Sequence, residues 1–472
     1  MRIGVSAKLP PRVQAQVWLV SQGGKPPSGI AEPLYEALIE RLQHGACAVL
    51  PSLGLAPTPF VALVKIPNWS DAIESRRRGG AIARMLGAER CVSAALHVPP
   101  GTNPAHVEPL LIGFDQGTYA WDRYQAKPTT RVSELTLIAP TSWSAVAKSA
   151  TTTAGWVAMC RDLINTPAAE LGPDEFEAEA RWVAKNAGLR MRVLDEEECT
   201  RLGMGCLIAV GRASPRRPRM LVLEIPGAKS TKPLALCGKG VCFDTGGLNI
   251  KTGDGMTLMR KDMGGAATVL CALAAAAVQE TPTRTVRAYL PLVENAISGN
   301  AFRPGDVLRA MDGTSVEIAN TDAEGRLILA DAVCLARKEG AGAIISVATL
   351  TGAAMTALGR IHVPLMATDD ALANGLLDSA HKTGEKMWRL PMDGEHRALN
   401  RGQVAQLTNA PSGGEAGCIT AGAFVAHFAG DVPFAHLDIS PTSWMTKAWD
   451  LGPAGATGTA VTTLAHRILE LS

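Results

Sequence analysis

The stretch Asn320-Thr321-Asp322-Ala323-Glu324-Gly325-Arg326-Leu327 sets two carboxylates two residues apart, directly ahead of a helical pattern. Side chains at i and i+2 point the same way only on extended backbone. The pair therefore implies extended chain up to Gly325, where a glycine permits a sharp turn. From Leu327 the residues Leu327, Ala330, Val333 and Cys334 recur at spacings of three and four, the period of a helix. Arg326 then stands at a helix N-terminus, where anions are favoured. The stretch offers a cation site and an anion site side by side. Taken alone, an Asp-x-Glu before a helix reads more simply as an acidic capping turn, and a second cluster upstream decides against that.

The second cluster is Gly238-Lys239-Gly240-Val241-Cys242-Phe243-Asp244-Thr245-Gly246-Gly247, followed by Lys251 and by Arg260-Lys261-Asp262-Met263-Gly264-Gly265. Singly, Asp244 reads as closing an Asx-turn into Gly246, and Asp262 as the cap of the apolar helix after it. Jointly, Asp244, Asp262, Asp322 and Glu324 make an oxygen-rich site whose charge cannot be buried without cations. Two divalent ions would neutralise it, held about 3.5–4 Å apart by shared carboxylates. The chain has no His-Glu-x-x-His, which excludes a single-zinc protease helix. Gly238-Lys239-Gly240 lacks the Ser or Thr that a phosphate loop needs after its lysine.

NTDAEGRL, with GKGVCFDTGG and KDMGGAA upstream at these spacings, closely resembles the leucyl aminopeptidase (cytosol aminopeptidase) family of two-metal exopeptidases. The resemblance runs from about residue 158 to the end and, more loosely, over the N-terminal part. It implies metal-ligand roles for Lys239, Asp244, Asp262, Asp322 and Glu324, with Asp244 and Glu324 bridging two divalent ions, manganese or zinc. It implies catalytic roles for Lys251 and Arg326, the latter holding a bicarbonate. It also implies that Met259 flanks a first-residue pocket and that Thr349, Leu350 and Gly352 line the path of the substrate backbone. The implied substrates are peptides with a free N-terminus and a leucine-like first residue, and the implied assembly is a homohexamer. Thr245 replaces the family's usual serine and keeps a hydroxyl. Ser440-Pro441-Thr442-Ser443-Trp444 departs from the usual Ala-Gly continuation after His436-Leu437-Asp438-Ile439.

In the 472 residues, 47% are hydrophobic and 19% charged, a globular composition with room for two or three domains. Net charge is +2, which gives no reason to expect a nucleic-acid partner. Ten cysteines are scattered without a Cys-x-x-Cys pair, as suits a reducing compartment. Apolar runs such as 271–278 are too short to span a bilayer, and the first residues lack the pattern of a cleaved signal. A cytoplasmic protein without a membrane partner is expected. The alternative class is a regulatory or DNA-binding assembly that reuses the fold. The intact set of acids and lysines speaks against it.

Along the chain, residues 1–148 alternate expected strands at 16–21, 60–66 and 110–114 with expected helices at 32–42 and 75–86. That reads as a small α/β domain, macro-like by the resemblance. Residues 140–156, rich in Ser, Thr and Ala, read as a connection, so the catalytic domain is taken as 149–472. There, apolar strands at 220–225, 234–237, 285–292, 343–347 and 362–367 interleave with helices at 266–277, 327–338 and 421–428. A mixed central sheet covered by helices on both faces follows, with ligands expected at the carboxyl ends of its strands.

Overall fold

The computed structural model describes residues 1–20, 26–66, 68–227 and 231–470. The chain divides into two compact units. One comprises Met1–Ala158 with His381–Gly384 and Met445–Thr457; the other comprises Met159–Ala380, Glu385–Trp444 and the stretch from Gly458 onward. Both are α/β.

The first unit is built on a six-stranded sheet with the edge-to-edge order Arg2–Ser6, Glu134–Ile138, Ser93–His97, Ala15–Val20, Phe60–Lys65 and Cys47–Pro51. All neighbours are parallel except the last pair. Ser21, the last residue of the strand expected at 16–21, lies outside the described residues. Two expectations fail here. Residues 110–114 form no strand but lie in the helix Pro104–Gly117. That helix is buried at Leu110, Leu111, Ile112 and Phe114, and an apolar run buried on every side carries no period to separate it from a strand. Residues 140–156 are not a loose connection, because the helix Ser144–Asn165 begins among them. Ala147, Ala150, Ala154 and Val157 form its buried stripe, and alanine is the strongest helix former.

The second unit carries a nine-stranded mixed sheet. Its order is Met387–Arg389, Val363–Ala367, Phe434–Asp438, Ala343–Ala348, Leu234–Gly238, Val286–Asn295, Arg219–Ile225 and Arg190–Leu194, with Gly240–Asp244 pairing the far end of Val286–Asn295. The four central strands are mutually parallel, and antiparallel pairs flank them on both sides. Ala235 and Cys237 belong to the core cluster of the helix Gly325–Lys338. Their strand neighbours Leu234 and Leu236 are equally buried and face the other way, where the helix Gly264–Ala277 packs. Helices therefore cover both faces, and both helices are buried along almost their whole length.

Register places the carboxyl ends of the parallel strands on one rim. Val347 is opposite Gly238 and Ala348 opposite Asp438, while Asn295 is opposite Asp244. Lys239 and Thr349 thus leave adjacent strands side by side, and Asn295 and Asp438 close the others. Asp262 and Asp322 reach this rim by another route. Asp262 sits in a 3-10 turn, Met259–Met263, that feeds the helix Gly264–Ala277, and Asp322 sits in the turn before Gly325–Lys338.

Candidate metal centre

The octapeptide is not extended. The strand before it, Ser315–Glu317, belongs to a separate three-stranded sheet. Thr321 and Asp322 form a turn, and Glu324 is already right-handed helical with φ −73° and ψ −35°. Asn409 shapes the loop: its Oδ1 accepts from the Ala319 and Asn320 amides at 2.9 and 3.2 Å, and its Nδ2 donates to the Asn320 carbonyl at 2.6 Å. A curled loop can turn two carboxylates inward where an i, i+2 strand argument expects a straight segment. Gly325 is no turn residue either. It opens the helix, and a Cβ there would lie 2.5 Å from the Lys239 Nζ. It is glycine for space.

The upstream loop is tied to this one. The Asp244 Oδ1 accepts from the Gly246 amide and from Asn295 Nδ2, each at 2.8 Å, so the Asx-turn exists alongside any other role. Gly246 has φ +86°, a conformation that favours glycine. Thr321 Oγ1 donates to the Gly246 carbonyl at 2.7 Å and accepts from the Asn249 amide at 2.8 Å. Asn295 also donates to the Thr321 carbonyl at 3.1 Å. Asn295, Thr321 and Asn409 are supports to which reading the motifs gave no role, because single uncharged side chains carry no pattern of their own.

Six charged residues converge. Lys239 Nζ lies 2.8 Å from Asp262 Oδ2 and 2.8 Å from Glu324 Oε1. Lys251 Nζ lies 2.8 Å from Asp244 Oδ2 and 2.5 Å from Asp322 Oδ1. Each ammonium thus sits between two carboxylates. Asp244, Asp262 and Glu324 are buried and offer oxygens within 4.8 Å of one another, while Asp322 stands at the edge with about a third of its side chain exposed. Burial raises the Glu324 carboxyl to about 8, with Asp244 adding to the rise, and burial likewise raises Asp262 and Asp322. For Lys239 burial works toward a lower pKa, but Asp262, Glu324 and Asp244 prevail and raise it. The Glu324 Oε2 is buried with no hydrogen-bond partner among the described residues. A buried, electron-rich cluster with an unclaimed oxygen, built of carboxylates and one amine, fits divalent ions.

Arg326 is buried beside it. Its Nη1 donates to the Asn409 carbonyl at 2.6 Å, its Nε has no partner among the described residues, and burial lowers its pKa to about 10. It is charged at neutral pH with a donor to spare. All these groups open into one cleft of about 640 Å³. Met259, Thr349, Leu350 and Gly352 line the same cleft, and so does Ser440. Thr349 Oγ1 donates to Asp262 Oδ1 at 2.8 Å. His436 is outside the cleft, buried with its Nδ1 2.6 Å from Ser346 Oγ on the next strand.

Residues 158–465 match the model of the cytosol aminopeptidase family, catalytic domain. A probable cytosol aminopeptidase of Geobacter sp. (strain M21) is 38% identical over 429 residues, covering 88% of this chain and 87% of that protein. Among solved structures, the bottromycin maturation enzyme BotP in complex with Mn superposes with a TM-score of 0.86 at 31% identity, covering 98% of this chain and 100% of that one. The cytosol aminopeptidase from Coxiella burnetii gives a TM-score of 0.84 at 30% identity, with 99% of each chain covered. By sequence along most of its length and by its fold, the chain belongs to the cytosol aminopeptidase (leucyl aminopeptidase) family of peptide hydrolases.

Proposed function

We propose that the protein is a two-metal aminopeptidase that removes the first residue, leucine-like by preference, from peptides with a free N-terminus. The observation that carries this reading is the buried convergence of Asp244, Asp262 and Glu324 oxygens within 4.8 Å. Lys239, Asp244, Asp262, Asp322 and Glu324 would hold the ions, with Asp244 and Glu324 shared between them. Manganese or zinc suits such a donor set, and the likeness to BotP, described in complex with Mn, supports manganese. When bound, two divalent ions supply an acidified attacking water and polarise the scissile carbonyl, and a bicarbonate on Arg326 supplies a proton carrier between that water and the leaving amine.

The remaining work falls to side chains. Lys251 now rests on Asp244 and Asp322. Once those carboxylates are engaged elsewhere, its ammonium is free to donate to the carbonyl oxygen as charge builds there. Lys239 would ligate only as the neutral amine, whereas burial, which favours that form, is outweighed here by Asp262, Glu324 and Asp244, which hold a proton on it. Arg326, pinned through one nitrogen by Asn409, keeps its Nε for the anion. Met259 would flank the first side chain, and Thr349, Leu350 and Gly352 would guide the substrate backbone. We further propose a homohexamer acting in the cytoplasm. No described helix is long and apolar enough to cross a membrane.

Metal analysis of Glu324→Ala beside its turnover tests the reading. Loss of ions and of activity together is expected, and full metal content with normal turnover would sink it.

A further inference from the structure

Lys261 lines the cleft and is only 9% exposed, yet it makes no ion pair among the described residues. Burial lowers the Lys261 pKa, and the charge of its chain neighbour Asp262 works against that without an ion pair between them. The two oxygens of Asp262 are taken by Lys239 at 2.8 Å and by the Thr349 hydroxyl at 2.8 Å. A buried ammonium with no ion pair of its own is costly, so an anion from outside the chain would stabilise it. Nearby charges add to the imbalance. Arg260 lies with its guanidinium 5.3 Å from the centre of the Trp444 ring, and its Nε is buried with no partner among the described residues. Arg360 donates to the Trp444 carbonyl at 3.3 Å, and its charge reaches Lys261. Neither arginine pairs with a carboxylate among the described residues. Ile250, Met259, Leu350 and Met355 also line the cleft and are apolar, and its acids, Asp244, Asp262, Asp322 and Glu324, are those of the candidate metal centre.

We propose that Lys261, backed by Arg260 and Arg360, binds a carboxylate carried by the peptide substrate, so that the enzyme favours peptides with an acidic group close to the scissile bond. The proposal rests on the aminopeptidase reading and names the substrate class of its cleft. The carboxylate has three possible sources: the first side chain, the second side chain, or the C-terminus of a dipeptide.

Three matched pairs separate them: Glu-Ala-Ala-amide with Gln-Ala-Ala-amide, Leu-Glu-Ala-amide with Leu-Gln-Ala-amide, and Leu-Ala with Leu-Ala-amide. Each is assayed by kcat and KM on the metal-loaded enzyme, at low and at high salt. In at least one pair the acid should exceed its neutral partner by about tenfold in kcat/KM, mostly through KM, and salt should shrink the ratio. Lys261→Met should bring that ratio to about one, Lys261→Arg should keep most of it, and the exposed Arg360→Gln should lower it in part. The wild-type ratios need no variant to fold. A response in the first pair would replace the leucine-like preference with an acidic one and leave the aminopeptidase reading standing. If neutral peptides are cleaved and all three ratios are near one, the proposal is overturned while the aminopeptidase reading survives. If no peptide is cleaved, both fall together.

Discussion

Gly325 and Lys239 fit against each other with no room to spare: a Cβ at position 325 would fall 2.5 Å from both Cε and Nζ of Lys239. The glycine opens a helix, where alanine is intrinsically better by about 1 kcal/mol. Gly325→Ala should therefore leave the unfolding midpoint within a few degrees of wild type while displacing the amine. A displacement on the order of 1 Å at a reacting centre costs about 100-fold in rate, so kcat should fall by about that factor and metal affinity should weaken. Wild-type kcat and metal content in this variant would show that Lys239 need not sit where it does.

Lys251 and Arg326 separate chemistry from ion binding. Lys251→Ala should lower kcat by about 100-fold or more, the cost of losing a donor to a developing oxyanion, with metal content close to wild type. Arg326→Ala should behave alike, and added bicarbonate should restore part of its activity. Atomic absorption and steady-state kinetics on the same preparations measure both. Unchanged kcat in both variants would remove the catalytic roles.

Asp331 links the helix Gly325–Lys338 to its surroundings and gives a pH signature. It is fully buried, and its oxygens accept from the amides of Leu207 and Met311 at 2.8 Å each. Burial raises its pKa from 3.8 to about 7, against the pull of those amides. Between these values the folded protein holds a proton that the unfolded chain has released. Stability must then fall as pH rises from about 4 toward 7 and level off above. Urea unfolding of the wild type and Asp331→Asn across pH 4.5–8 isolates this slope, and parallel profiles would refute it. Asp331→Ala should cost roughly 2–4 kcal/mol, because two buried amides lose their acceptor.

The residues that carry charge were legible in the sequence because glycines and acids crowded at element ends are hard to explain otherwise. NTDAEGRL and GKGVCFDTGG do meet in one cleft, with Lys239, Lys251 and Arg326 among their acids. The central strands and the helix at 327–338 were legible from unbroken apolar runs and their periods. The geometry between the motifs was not. Asp322 and Glu324 converge through a curled loop held by Asn409, a partner about 85 residues away whose amide leaves no local signal. The helix Pro104–Gly117 was misread because burial on all sides erases amphipathic period. The start of Ser144–Asn165 was misread because Ser and Thr suggest loops, whereas here Thr151 folds its hydroxyl back onto the Ala147 carbonyl at 2.8 Å.

Assembly is tested by sedimentation velocity of the purified protein. A homohexamer of 49.5 kDa subunits is expected at micromolar concentration. A stable monomer with full activity would contradict that expectation without touching the metal centre.

The central claim is that the acidic cleft receives a free amino terminus. Leucinamide presents an amine with a lone pair, and N-acetyl-leucinamide presents an amide nitrogen without one, with a methyl carbonyl pushed toward the carboxylates. The decisive measurement is kcat/KM for the two on the manganese-loaded enzyme. Hydrolysis of leucinamide and none of its acetylated form, at any concentration tried, is the predicted result. Comparable values for the two would contradict the aminopeptidase mechanism even if both ions were in place.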